Sequence, residues 1–213
     1  MSVDKAVQAI QDFQGASLTE NLSKIETEIV GIETDKAFQF CDEIGVDANF
    51  LNLALSIKSM ASQINVIIHA AGILHSLKTL LDDGERVESV SLGAGNTGKK
   101  FDLETNFRVA EYKFIDWKGG AEAIRQNGIF KDFYELAEHE TTKKKYLYVV
   151  DTTHPLRFFN GGRALTSVLS RYPNMIGSVS EKYGKDIQVV RDYYALHKDT
   201  VSICDVRPHI ARM

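Results

Sequence analysis

The chain has 213 residues, 44% hydrophobic and 25% charged, with a net charge of −4 at pH 7, a profile that reads as an ordinary soluble globular protein long enough for one substantial core. Its two cysteines, Cys41 and Cys204, lie far apart with no C-x-x-C or Cys/His spacing, so a disulfide framework or structural zinc site is not expected and a reducing, cytoplasmic setting is. The opening MSVDKAVQAIQDF has an early acid and no apolar h-region, and the most apolar stretch, residues 64–74, is too short to span a bilayer, so neither a secretory signal nor a membrane segment is expected.

Residues 1 to about 82 read as helices. DKAVQAIQDF and SLTENLSKIETEIVGI place apolar residues three and four apart, and SLTE has the form of a capping box. A further helix runs through INVIIHAAGILHSLKTLL and stops at DDG. From Arg86 the period changes to two, and RVESVSLG, KKFDLETN and FRVAEYKFID read as successive strands. KGGAEAIRQNGIFKDFYELAEHE returns to a helical pattern, KKKYLYVVD reads as a strand, GGRALTSVLSRY as a helix and TVSICDV as a last short strand. DTTHPLRFFNGG, with His154, reads as a loop. This order predicts an α/β or α+β domain with a mixed sheet flanked by helices.

Gly93, Gly95 and Gly98 form a G-x-G-x-x-G, which binds dinucleotides when a strand precedes it and a helix opens at its last glycine. KKFDLETN follows instead, so the glycines are expected to join two strands. No nucleotide cofactor is expected.

The strands carry the more informative pattern. Glu111 and Lys113 are two apart and share a face of their strand. If the turn in ETNFRV is Asn106-Phe107, Asp102 lies directly opposite Glu111; if it is Thr105-Asn106, Asp102 is one diagonal step away. Either register brings two carboxylates within reach of one ion. Two close carboxylates repel unless a cation lies between them, and hard oxygen donors suit Mg²⁺ or Mn²⁺. A metal so placed can activate water for attack on a phosphate, with Lys113 beside it to orient the water or neutralise charge. A second acid-x-Lys, Asp116 to Lys118, falls at the strand end before Gly119-Gly120, so Glu111-x-Lys113 is the better placed.

FDLET followed by AEYKF resembles the core of the PD-(D/E)xK nuclease superfamily over roughly residues 65–151. The resemblance implies a restriction-endonuclease-like mixed central sheet flanked by helices in residues 62–213, preceded by an acidic helical segment, residues 1–61. It implies a metal-dependent nuclease holding Mg²⁺ or Mn²⁺ through Asp102 and Glu111, with the Tyr112 carbonyl as a third ligand and Lys113 as the catalytic lysine. RecB-type nucleases, the branch closest in motif, place a Gln on the following helix and a His on the preceding one in a G-x-x-H context. AIRQNGIF offers Gln126, and GILHSL offers Gly72 and His75; His69 lies about 120° away around that helix, so one of the two histidines can serve the site, and the resemblance implies His75 as a metal ligand. Gln126, Phe130, Phe133 and Ala137 share a helical stripe expected to face the sheet, with the Gln126 amide reaching either the site or a nearby backbone group. The chain departs from the family at Phe101, where a Pro is frequent, and at Phe130, where a Tyr is common, and it has no evident acid on the first helix.

Nucleic acid, DNA ahead of RNA, is the expected partner. Residues 1–98 carry 6 Lys and Arg against 14 Asp and Glu, whereas residues 99–145 carry 10 against 9 and residues 146–213 carry 9 against 6, so phosphate contact belongs to the later part. Arg125 and Arg163 are the candidate phosphate contacts, with Lys99, Lys100, Arg108 and Lys131 around the proposed centre and Lys143 to Lys145 and Arg157 farther along. A homo-oligomer or a partner protein is expected to engage the N-terminal helices. Three other readings stay open: an inactive binding module of the same fold, an interaction protein working through its N-terminal helices, and a nucleotide-binding enzyme using Gly93 to Gly98.

Overall fold

The computed structural model describes residues 3–93, 98–115, 117–118 and 122–210. The chain divides into two compact units, Met1–Asn65 and Val66–Met213. This boundary and the one expected at 61/62 both fall inside a single helix.

The first unit contains α1 (Val3–Gln14), α2 (Leu18–Glu28), α3 (Thr34–Glu43) and the start of α4 (Ala48–Leu80). The Ser17 hydroxyl accepts the Glu20 backbone N–H at 3.4 Å, the N-terminal cap that SLTE predicts. The Phe13 and Phe50 rings pack 5.0 Å apart, and Asn21 donates to the Phe13 carbonyl at 2.6 Å. Leu18, Leu22, Leu51 and Leu55 remain exposed, so this unit keeps little apolar surface from water.

Helix α4 is longer than the sequence reading allows. The helical pattern there begins at Ile64, but NFLNLALSIKSMASQ, with Lys58 as its lone charge, continues it backwards to give 33 residues. Among the described residues one helical stretch, Asn49–Leu80, is long and apolar enough by length and composition to cross a membrane.

The second unit is built on a five-stranded sheet in sequential order: β1 (Val87–Val90), β2 (Leu103–Thr105), β3 (Arg108–Lys113), β4 (Lys144–Val149) and β5 (Val201–Asp205). β1, β2 and β3 are antiparallel; β3, β4 and β5 run parallel, so the sheet is mixed, as expected. The crossover from β3 to β4 is α5 (Ala123–Ala137), and the one from β4 to β5 holds α6 (Thr153–Phe159), α7 (Leu165–Val168), α8 (Pro173–Tyr183) and α9 (Val190–His197). Each face has its own core. The C-terminal half of α4 brings Ile73, Leu77 and Leu80 onto Leu103, Ala110, Tyr112 and Tyr148. On the opposite face, Phe130, Phe133 and Leu136 of α5 meet Val109, Leu147, Val149 and the α6–α9 layer.

The stretch expected to be a loop around His154 is helix α6, because Pro155, Phe158 and Phe159 are buried against α5 and α9. GGRALTSVLSRY forms only the short α7 before Pro173 opens α8.

A buried ion-pair knot ties the start of β3. Arg108 is 5% exposed; its Nε donates to Glu85 Oε1 at 2.6 Å, its Nη2 to Glu85 Oε2 and Asp82, and its Nη1 to the Tyr148 hydroxyl at 3.1 Å. Arg108 is therefore a framework residue and is closed to nucleic acid.

Candidate active site

The ladder pairs Leu103 with Ala110 and Glu104 with Val109, so the turn is Asn106-Phe107 and Asp102 stands opposite Glu111. The charge of Asp102 acts on the Glu111 carboxyl across the two strands. The Tyr112 backbone N–H donates to Asp102 Oδ2 at 2.9 Å, and His69 Nε2 lies 3.2 Å from Asp102 Oδ1. Lys113 Nζ forms an ion pair with Asp132 Oδ2 at 2.6 Å. The His69–Asp102 contact, Glu111 opposite Asp102, and the Lys113–Asp132 pair thus lie where β2, β3, α4 and α5 come together.

The charges in this cluster are unevenly distributed. Burial pushes the Glu111 carboxyl up to about 9, and the negative charges of Asp102 and Asp132 add to the effect against the opposing pull of Lys113. Burial acts on Asp102 in the same sense, but the hydrogen bonds from His69 and the Tyr112 N–H, with the charge of Lys113, outweigh it and hold its carboxyl below the usual range. Burial also disfavours the Lys113 ammonium, yet Asp132, Glu111 and Asp102 overcome that and raise its pKa, so Lys113 is a cation at neutral pH. Without a divalent ion, Glu111 therefore keeps its proton at neutral pH while Asp102 is ionised.

Two expected site residues sit elsewhere. On α4 the residues facing the sheet are Ile73, Ser76 and Leu80, and the same stripe continued one turn back reaches His69. His75 falls off that stripe and is exposed; the histidine beside Asp102 is His69. Gly72 lets α4 approach closely, since a Cβ there would lie 2.5 Å from the Phe114 ring, whose edge packs on His69. On α5 the buried set is Ile129, Phe130, Asp132, Phe133 and Leu136, which places Gln126 at the margin of the stripe. Its side-chain oxygen accepts a hydrogen bond from Arg163 Nη1, and Arg163 also reaches Ser167 at 3.3 Å. Gln126 and Arg163 are therefore partners of each other.

Asp132 is the residue that sequence reasoning missed. A carboxylate three residues after Ile129 and four before Leu136, on the core-facing stripe, was the available signal. Arg125 pairs with Glu122 at 2.5 Å, and Lys143 with Glu88 and Glu104 at 2.6 and 2.7 Å.

The donor set suits a hard cation. Among the described residues no three His, Cys, Asp and Glu side chains are grouped closely enough to cage a metal by themselves. Mg²⁺ is commonly held by one or two carboxylates with water and phosphate completing its shell, a demand that Asp102 and Glu111 can meet. The Glu111 carboxyl is raised first by burial and then by the negative charges of Asp102 and Asp132, and such an ion would relieve the latter part.

The glycine segment has positive φ at Gly93 (81°) and Gly98 (71°), and a strand rather than a helix comes next. Gly95 lies outside the described residues, as do Asp116, Gly119 and Gly120. Beside Lys113 is a cavity of about 210 Å³ between the ends of β3 and β4 and the start of α5, walled by Trp117, Ile129, Val149 and Pro155, with Ile115 and Ile124 at its rim. Comparison of the chain with protein families, curated proteins and solved structures found no match.

Proposed function

We propose that this chain is a Mg²⁺- or Mn²⁺-dependent nuclease of the PD-(D/E)xK type, with a restriction-endonuclease-like second unit, that hydrolyses phosphodiester bonds in nucleic acid, DNA first. The observation that carries the reading is the cross-strand placement of Asp102 opposite Glu111, close enough for the charge of Asp102 to act on the Glu111 carboxyl, with the Lys113 ammonium on the same strand as Glu111.

When bound, the divalent ion supplies Lewis-acid polarisation of the phosphate and lowers the pKa of the attacking water. The chain's own groups do the remainder. Asp102 and Glu111 would hold the ion, Glu111 in its deprotonated form. His69 and the Tyr112 N–H fix the Asp102 carboxylate. Lys113, kept protonated, donates to a non-bridging phosphate oxygen as charge builds there, and Asp132 aims its amine. Water oxygen bonds to phosphorus and gives up a proton to solvent, the bond from phosphorus to the leaving oxygen breaks, and that oxygen takes up a proton from solvent.

The test is cleavage of a plasmid and of a labelled oligonucleotide with Mn²⁺. Lys113→Ala is expected to lose at least a hundredfold in rate while retaining an Mn²⁺-induced rise in melting temperature, on the scale of removing one charge-stabilising donor. One observation favours a second reading, an inactive module of the same fold: the 2.6 Å ion pair commits the Lys113 amine to Asp132. That reading predicts no cleavage and no Mn²⁺ shift that depends on Asp102.

A further inference from the structure

We propose that the cavity beside Lys113 is a base-binding subsite, taking one nucleobase next to the phosphate that reacts at Asp102 and Glu111. The inference rests on the nuclease reading and adds a recognition element to it. Lys113 belongs to both places: its Nζ pairs with Asp132 in the charge cluster, and its side chain lines the cavity. Whatever fills the cavity is thus one side chain away from the reacting phosphate, as a base is from its own phosphate.

Size and chemistry select a flat ring. An apolar cavity of roughly 150 Å³ accepts benzene, so about 210 Å³ accommodates a single planar ring system. The walls are mainly apolar, with Arg125 joining Lys113 as a charged lining residue, and Ile115 and Ile124 at the mouth are 45% and 76% exposed, more than large apolar side chains in a closed site would be. Trp117 is 8% exposed, and its indole N–H has no hydrogen-bond partner among the described residues. An unpaired buried donor is costly, and a base bears ring nitrogens and carbonyl oxygens that would satisfy it, whereas a hydrocarbon ring would not.

Gly128 keeps the space open. It lies within α5, where glycine is less favourable than alanine, and it lines the cavity. A Cβ added there meets no atom within 4 Å, so packing does not demand a glycine. A larger side chain at that position would occupy the volume assigned to the base.

Trp117 is the chain's sole tryptophan, which gives a direct reporter. The full chain is titrated with an eight-nucleotide single-stranded DNA, and with its abasic counterpart of equal phosphate count, in Ca²⁺ to neutralise the carboxylates. Anisotropy of a fluorescein label gives affinity, Trp117 emission reports the cavity, and a gel confirms that the strand is intact. The base-bearing strand is expected to change Trp117 emission with the midpoint seen by anisotropy. Gly128→Leu should abolish that change, weaken the base-bearing strand about tenfold, in the range of losing one stacked base, and leave the abasic strand unaffected. Gly128→Ala, which adds only a methyl group, gives the folded reference with a smaller effect.

Binding by anisotropy with unchanged emission, or equal affinity in Gly128→Leu, overturns the subsite and leaves the nuclease reading standing. Absence of binding by either strand, together with absence of Lys113-dependent cleavage, overturns both. Cleavage that depends on Lys113 while base-bearing and abasic strands bind alike overturns the subsite alone.

Discussion

Glu111 is the most pH-sensitive residue of the cluster. Its carboxyl titrates near 4.5 when unfolded and near 9 in the folded chain. Below 4.5 it is protonated in both states and above 9 it is ionised in both. Between those limits the folded state holds the extra proton, so its contribution to stability falls as pH rises through the window. Metal-free Glu111→Gln is therefore expected to melt higher than the parent at pH 8, with the difference closing toward pH 5, as thermal denaturation at several pH values will show. Mn²⁺ must displace the same proton, so the Mn²⁺-induced rise in melting temperature should be larger at pH 8 than at pH 6 in the parent and absent in Glu111→Gln. A rise of equal size at both pH values would remove Glu111 from the ligand set.

At the scale of elements, the knot of Arg108, Glu85 and Asp82 and the charge cluster lie at opposite ends of β3 and have opposite jobs. Thr105 joins the knot, its hydroxyl donating to Glu85 at 2.5 Å and accepting the Arg108 N–H at 2.9 Å, so the knot holds the β2–β3 turn. Arg108→Ala would strand the Glu85 carboxylate in the interior and is expected to cost about 3–5 kcal/mol in urea unfolding. Replacing both partners with apolar residues, Arg108→Met with Glu85→Leu, should recover most of that loss. If the single and double variants are equally unstable, packing and not charge holds the turn.

The same scale shows what the sequence conveyed. The period-two strands, the hairpin and the acid-x-Lys were legible because β3 is short, regular and set in register by its turn. The identity of the histidine was hidden because Gly-x-x-His spacing is a linear cue, whereas the side of α4 that meets the sheet is set by Ile73, Ser76 and Leu80. Asp132 escaped because an acid amid phenylalanines on a helix reads as a solvated interruption until its partner Lys113 is placed across from it. Helix α6 was lost to its Thr-Thr-His-Pro start, whose polar residues mask the buried Pro155, Phe158 and Phe159.

For the whole molecule, the hydrogen bonds and ion pairs described for the site all lie within residues 66–210. The sheet has a core on each face that draws on this range alone. A fragment of residues 66–213 is therefore expected to fold and to retain Lys113-dependent cleavage within about tenfold of the full chain. If cleavage survives in the full-length Lys113→Ala variant but vanishes from the fragment, the activity belongs with the N-terminal helices.

The two-residue turn at Asn106-Phe107 acts as a ruler for the chemistry. Asn106 is clamped to the Arg86 backbone at 2.7 and 3.1 Å, so the ruler is fixed to the neighbouring strand. Sliding one arm by a single residue would carry every side chain on it to the reverse surface and bring an alanine or tyrosine opposite Asp102. Point exchanges in this loop can be absorbed, while an added or missing residue cannot; lineages that keep the activity should differ here in spelling and never in length.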